Sequence, residues 1–349
     1  MNLFAAKDVF ANPLVADKLI SIYCIAGRLR SGKSFILGLF LKYLFNGGRE
    51  DWMDNDIESS FVYSNREERV TTGICIYSEP IIMKNRRGDD VAVFLMDTQG
   101  WHDDKTPKKV NELIFGLSAL LSAVVIFNID KTVGEDDLTH LQNYTNTAQT
   151  LAMMGHQPFQ RLFFLIRNWI SIDEEEGFPF GYYDSKRPRE FRDFIKHKFD
   201  PNNLDRSDEA KKIRRILHLL YERMSAYLMP YPGNCVYSKK IDNKKLDQEF
   251  IFHINNLCAV LFDKNNLEQN YFNGKYLRGC ELYELIKNTW SKDFRLEALT
   301  SRNDGPDETL YRMAYETAKD YFNKMMNNLI RNCKEITDLE DLIEFQRLA

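Results

Sequence analysis

Cysteine is sparse and unpatterned in this chain: six residues among 349, none of them in a C-x-x-C pair. That scatter implies no zinc site and suits free thiols in a reducing compartment rather than a disulfide framework. Cys24 and Cys75 fall in strand-like runs, where a thiol packs as a small hydrophobe. The six histidines follow no H-E-x-x-H spacing. Basic charge is not in excess either. With a net charge of −4, no global field draws nucleic acid, and none is expected as a partner. Low-complexity tracts are missing, and 44% hydrophobic residues suit a chain that folds throughout. The N-terminus lacks the basic cap and apolar core of a signal peptide. The longest apolar stretch, Leu113 to Phe127, is too short for the hydrocarbon core of a bilayer. It divides into a helix-like half with small residues and a β-branched half, Ala123-Val124-Val125-Ile126-Phe127, so a buried helix followed by a central strand is expected and nothing is expected to cross a membrane.

What is present begins at Gly27-Arg28-Leu29-Arg30-Ser31-Gly32-Lys33-Ser34, which fits the phosphate-cradling pattern G-x-x-x-x-G-K-[ST]. An apolar, β-prone run from Leu19 to Ala26 precedes it, and a helix-like run starting at Phe35 follows. Glycines let backbone N–H groups turn inward at a helix N-terminus, where orphan amides and the dipole both favour negative charge. Lys33 then reaches the β- and γ-phosphates, and the Ser34 hydroxyl ligates Mg²⁺. Arg28, Leu29, Arg30, Ser31, Gly32 and Phe35 complete the loop that lines the nucleotide.

The run Val91-Ala92-Val93-Phe94-Leu95-Met96 reads as a buried strand that delivers Asp97 at its carboxyl end, followed by Thr98-Gln99-Gly100. Asp97 is expected to hold Mg²⁺ through water, and the Gly100 amide to meet the γ-phosphate. Between these motifs lies Arg69-Val70-Thr71-Thr72-Gly73-Ile74, where a threonine on a mobile loop closes on Mg²⁺ only while a γ-phosphate is present. Each string occurs by chance alone; in order, each beside a strand-like run, they describe a GTPase-type switch. His102, just past the D-T-Q-G turn, is the histidine nearest the expected phosphate and reads as a solvated loop residue.

The strings GRLRSGKSF, VTTGICIYSEP, VAVFLMDTQG, EDDLTHLQNYT, PFQRLFFLIRNW and AKDYFNKMMNN together resemble the atlastins, dynamin-superfamily GTPases that tether and fuse endoplasmic reticulum tubules, and more distantly the guanylate-binding proteins. The resemblance runs from about Asn12 to about Asn328. It implies an α/β P-loop GTPase domain with a mostly parallel sheet, followed by a short C-terminal helical segment. Arg30 matches the family's intramolecular arginine finger, worth roughly 10³–10⁵ in rate where measured in other GTPases. Thr71 matches the switch threonine, with Thr72 as the fallback. Mg²⁺ as cofactor, GTP and GDP as substrate and product, and homodimers through the GTPase face follow from the same resemblance. So does a cytoplasmic setting at the cytosolic face of the endoplasmic reticulum.

One departure stands out. The family ends the strand represented by Leu162-Phe163-Phe164-Leu165-Ile166 with Arg-Asp, whose carboxylate accepts from guanine N1–H and the exocyclic amine; this chain has Arg167-Asn168. An amide offers one acceptor and an NH₂ that faces guanine's own donor. Leaving one buried donor unpaired costs about 1–3 kcal/mol, so weaker guanine binding by roughly one to two decades is expected, with a relative gain for xanthine. Asn168 reads either as a natural divergence, with guanine still held by Arg167 and backbone groups, or as a change that disables base recognition. The second alternative makes the chain a nucleotide-gated interaction module without useful turnover. A small-molecule kinase is disfavoured by the threonine switch.

Strand-like runs at Ile20–Ala26, Gly73–Ser78, Ala92–Met96, Ala123–Ile129, Arg161–Ile166 and Asn234–Tyr237 alternate with helical segments, giving a doubly covered sheet with ligand at its carboxyl edge. The acidic run Asp173-Glu174-Glu175-Glu176 reads as an exposed insertion, and Tyr231-Pro232-Gly233-Asn234 as a turn before the last strand. The expected organisation is a GTPase domain over 1–290, a linker over 291–303 and a partial helical middle domain over 304–349, with Leu310, Met313, Ala314, Ala318, Tyr321 and Phe322 at helical spacing. The rest of an atlastin's bundle and its membrane anchor are expected to be missing, so membrane is met indirectly or through that missing anchor.

Overall fold

The computed structural model describes residues 3–49, 51–54, 73–100, 108–141, 159–169, 177–186, 189–237, 243–272 and 274–293. Thr71, Thr72, His102, the acidic run at 173–176 and the helical pattern from 304 onward lie outside these residues. One compact unit spans Met1–Phe294, and a second, Arg295–Ala349, falls outside the described residues.

The chain opens with helix α1 (Leu3–Phe10), strand β1 (Leu19–Gly27) and helix α2 (Lys33–Phe45). Strands β2 (Ile74–Ile76), β3 (Ile81–Lys84) and β4 (Asp90–Thr98) follow, then α3 (Lys108–Leu121), β5 (Val124–Asp130) and a helix α4 described over 135–141. Next come β6 (Phe159–Arg167), β7 (Gly181–Asp184), α5 (Arg189–Phe199), α6 (Asp208–Leu220) and β8 (Tyr221–Leu228). Helix α7 (Gln248–Phe262), the small hairpin β9 (Tyr271–Phe272) and β10 (Lys275–Tyr276), and α8 (Gly279–Asp293) complete the described chain.

The main sheet runs β2-β4-β1-β5-β6-β8-β7, with β3 also paired to β4. Its centre, β4-β1-β5-β6-β8, is wholly parallel, and the antiparallel strands β2, β3 and β7 sit at the edges. Parallel strands buried on both faces read as continuous apolar runs, which is why the sequence marked β1, β4, β5 and β6. Side chains still alternate by face. Tyr23, Ile25, Val93, Leu95, Ile126 and Phe163 join Phe40 of α2 and Phe250, Ile254 and Leu257 of α7 in one core. On the opposite face Val125, Phe127 and Phe164 pack with Phe115 of α3, Phe199 of α5 and Leu217 of α6, while Ile22 and Phe94 meet Phe10 of α1 and Leu282 of α8. Each helix covers the sheet with its apolar stripe.

The strand expected at Asn234–Tyr237 is a 3₁₀ turn, and the last parallel strand is β8 instead. Gly233, at φ 95°, turns the chain there against the Asp247 carboxylate, and the run that follows pairs with no strand of the sheet. Strands β1, β4, β5 and β6 all point their carboxyl ends at one edge, which is where ligands of such sheets bind.

Candidate functional site

The loop between β1 and α2 is shaped by two left-handed residues. Gly32, the N-cap of α2, has φ 73°, and Arg30 has φ 59°. No side chain caps α2, so its first amides are offered to whatever lies in the loop. Close backbone contacts fix the curl. A Cβ on Gly27 falls 2.5 Å from the Asn128 carbonyl oxygen, and one on Gly100 falls 2.4 Å from Leu29 Cα. The end of β4 therefore lies directly on the loop, which requires glycine at position 100.

Asn128 and Arg167 support the loop from the neighbouring strands. The Asn128 amide donates to the Ser31 carbonyl at 2.9 Å and to its hydroxyl at 2.8 Å. The Arg167 guanidinium donates to the same carbonyl and lies against Gly32. Burial lowers the Arg167 pKa to about 10, with the Asp130 charge opposing that fall. Arg167 thus places a buried cation beneath the loop between β1 and α2.

Lys33 is 7% exposed, and its ammonium donates to the carbonyls of Gly27 at 3.2 Å and Arg28 at 2.9 Å. Burial depresses its pKa to about 8; the nearby Asp97 carboxylate works against the shift and Arg167 adds to it. The Ser34 hydroxyl donates to the Asp97 carboxylate at 2.6 Å. Asp97 is 2% exposed, so the last residues of β4 and the first turn of α2 meet through hard oxygen donors. Phe35 turns its ring into the core against Phe250, leaving only its backbone on the loop side. Arg28 is drawn away to Asp137 of α4, at 2.9 Å, while Arg30 is exposed on the loop. The side chain of Leu29 is half-buried.

On the other flank, Gln99 grips Gly73 twice: its backbone N–H donates to the Gly73 carbonyl at 2.8 Å, and its side-chain oxygen accepts from the Gly73 N–H at 3.0 Å. The chain leaving the Thr71-Thr72 segment is thereby tied beside Asp97. At the far end of the edge, Asn168 has φ 54° and donates its side-chain NH₂ to the Asp130 carboxylate at 2.6 Å.

A family profile described as guanylate-binding protein, N-terminal domain, matches residues 2–270. The chain belongs to that family. Atlastin-1 of Bos taurus is 31% identical over 351 residues, covering 97% of this chain and 60% of its own length. Atlastin of Drosophila melanogaster is 29% identical over 342 residues, with 94% and 61% covered, and atlastin-2 of Homo sapiens 31% over 290 residues, with 81% and 48% covered. The chain spans about three fifths of the length of the first of these relatives. The chain is thus similar to the atlastins over nearly its whole length, and its mostly parallel α/β sheet is the fold the resemblance implied.

Three residues of this atlastin-like site escaped the sequence reading: Asn128, Asp130 and Asp137. Each comes from β5 or the helix after it, where nothing in the local pattern distinguishes a loop-supporting residue from an ordinary strand end. Only the pairing of β5 between β1 and β6 brings them to the loop.

Proposed function

We propose that this atlastin-like chain binds GTP at the carboxyl edge of its sheet and hydrolyses it to GDP and phosphate with Mg²⁺. The observation that carries the reading is the meeting of Lys33 with Ser34 and Asp97 at an uncapped helix N-terminus. A buried ammonium beside a ring of backbone amides suits a polyphosphate, because the anion restores the favourable charge environment that burial removes. The oxygens of Ser34 and Asp97 fit Mg²⁺, which takes one or two carboxylates and completes its shell with phosphate oxygens and water. Bound there, the ion would neutralise charge on the β- and γ-phosphoryl oxygens.

Thr71 is the third residue assigned to that ion. That assignment follows the switch-threonine position of the resemblance, and Gly73, two residues on, is tied to Gln99 at the end of β4. Arg30 is assigned as the cation that offsets charge developing on the transferred phosphoryl group. Its residue is exposed and has left-handed backbone within the loop. Pairing of two chains through the GTPase face, at the cytosolic face of the endoplasmic reticulum, completes the proposal. It rests on the atlastin-like sequence alone.

Phosphate release with excess GTP and Mg²⁺ tests the reading. Arg30→Ala is expected to slow turnover by about three decades or more with little change in GDP affinity. Equal slow rates for both proteins favour a nucleotide-gated binding module instead. Light scattering is expected to give a monomer with GDP and a dimer with a transition-state mimic; a constant mass removes the dimer from the proposal.

A further inference from the structure

Among the described residues, three that are not glycine have positive φ: Arg30, Lys131 and Asn168. All three lie just past the carboxyl ends of adjacent parallel strands, β1, β5 and β6. Left-handed backbone in side-chain-bearing residues persists where the surroundings hold it, and such residues gather at ligand sites. At two of these positions the neighbouring strand ends are also locked together. Asp130 pairs with Arg167 in register, and the Lys131 N–H donates to the Arg167 carbonyl at 2.7 Å. The last residues of β5 and β6 therefore present Asp130 and Asn168 side by side, joined at 2.6 Å.

A carboxylate only accepts hydrogen bonds, so the Asn168 amide must give Asp130 its NH₂ and turn its carbonyl away. That carbonyl oxygen is buried and has no hydrogen-bond partner among the described residues. Asp130 itself is exposed at the strand end. One of its oxygens serves Asn168, and the remaining lone pairs are available to further donors. An exposed carboxylate held in a fixed direction, one strand away from the phosphate loop, is an acceptor for a ligand edge with neighbouring N–H groups.

We propose that Asp130 is the specificity-determining residue for the base. Its carboxylate, positioned by Asn168, accepts from the N1–H and the 2-amino group of guanine, in place of the carboxylate that position 168 lacks. Adenine sets a ring lone pair next to its amine, and xanthine sets a carbonyl where guanine has the amine. Both turn an acceptor toward Asp130 and are disfavoured; hypoxanthine keeps only one of the two donors. The xanthine gain expected from Asn168 alone is reversed, because its NH₂ is already engaged. The inference rests on the proposed nucleotide site and names the base that site takes.

The test is calorimetric binding of GDP, IDP and XDP with Mg²⁺ to the full chain, to Asp130→Asn, and to the swap variant carrying both Asp130→Asn and Asn168→Asp. The native chain is expected to bind GDP about 10-fold more tightly than IDP, and XDP more weakly still. Asp130→Asn is expected to weaken GDP by about 10- to 100-fold and to bring the GDP to IDP ratio near one. The swap variant is expected to recover both, because it keeps the hydrogen-bonded pair and returns a carboxylate to the base edge, whereas the loss of the GDP to IDP ratio in Asp130→Asn is what a residue of merely structural importance does not explain. GDP binding with an unchanged ratio in Asp130→Asn overturns this inference and leaves the phosphate site standing, as does a native preference for XDP. Failure of the native chain to bind any of the three overturns the nucleotide site and this inference together.

Discussion

At position 100 even a single added carbon meets backbone: it falls 2.4 Å from Leu29 Cα and 2.5 Å from Leu29 N, neither of which can swing aside. Gly100→Ala must part the β4 end from the loop. Overpacking of this kind costs about 1–3 kcal/mol, so GDP affinity is expected to fall by roughly 5- to 150-fold while the far-UV circular dichroism is unchanged. An unaltered affinity would show that the loop's shape does not depend on this approach. A second residue governs acid stability. Asp184 is fully buried, and burial alone raises its pKa; hydrogen bonds from Arg223, the Tyr182 hydroxyl and the Lys186 N–H outweigh that and hold it below the usual carboxylate range. A carboxyl depressed in the folded state contributes stability above its unfolded pKa near 3.9 and loses it as pH falls through the folded value. Asp184→Asn is therefore expected to lose about 1.5–3 kcal/mol in urea at pH 7. Its deficit against the native chain should shrink below about pH 4, and a deficit constant with pH rules out this origin.

Helix α6 and strand β8 show at the scale of elements what a linear pattern conveys and what it hides. The start of α6 is written locally: Ser207 accepts from the Ala210 N–H at 3.2 Å, and Asp208 and Glu209 occupy the first turn. Ser207→Ala is expected to cost about 1 kcal/mol in chemical denaturation with an unchanged m-value. A loss under a few tenths would mean that the first turn holds without its cap. The end of α6 has no such signal. Tyr221 is both its C-cap and the first residue of β8, with no glycine or proline between, and Glu222, Arg223, Met224 and Ala226 are helix formers. Burial between β6 and β7 makes this segment a strand, a tertiary effect that overrides propensity. The central strands β1, β4, β5 and β6 were legible because burial on both faces demands long apolar runs. The short edge strands β3 and β7 carry no such run.

For the whole molecule, the division is between a contiguous motif and a site assembled from distant strands. Gly27 through Ser34 could be read directly, because one loop carries its own geometry, whereas Asn128, Asp130 and the inward turn of Arg167 acquire meaning only when β5 and β6 stand beside β1. The same dependence makes binding a measure of folding. Residues from β1, α2, β4, β5 and β6 converge only in the folded chain, so a nucleotide at the proposed site would bind the native state and not the unfolded one. GDP at 100 times its dissociation constant then adds about 2.7 kcal/mol to stability, which raises the thermal midpoint by several degrees for a domain of this size. On the proposed role of Ser34 and Asp97 in holding Mg²⁺ against the phosphates, EDTA is expected to remove much of that gain without affecting the nucleotide-free protein. Lys33→Ala is expected to abolish the gain with or without metal. Differential scanning fluorimetry across these four conditions separates the two contributions: a midpoint rise that survives EDTA undiminished excludes the Ser34–Asp97 pair as a metal site, while one that survives Lys33→Ala excludes the loop as the phosphate cradle.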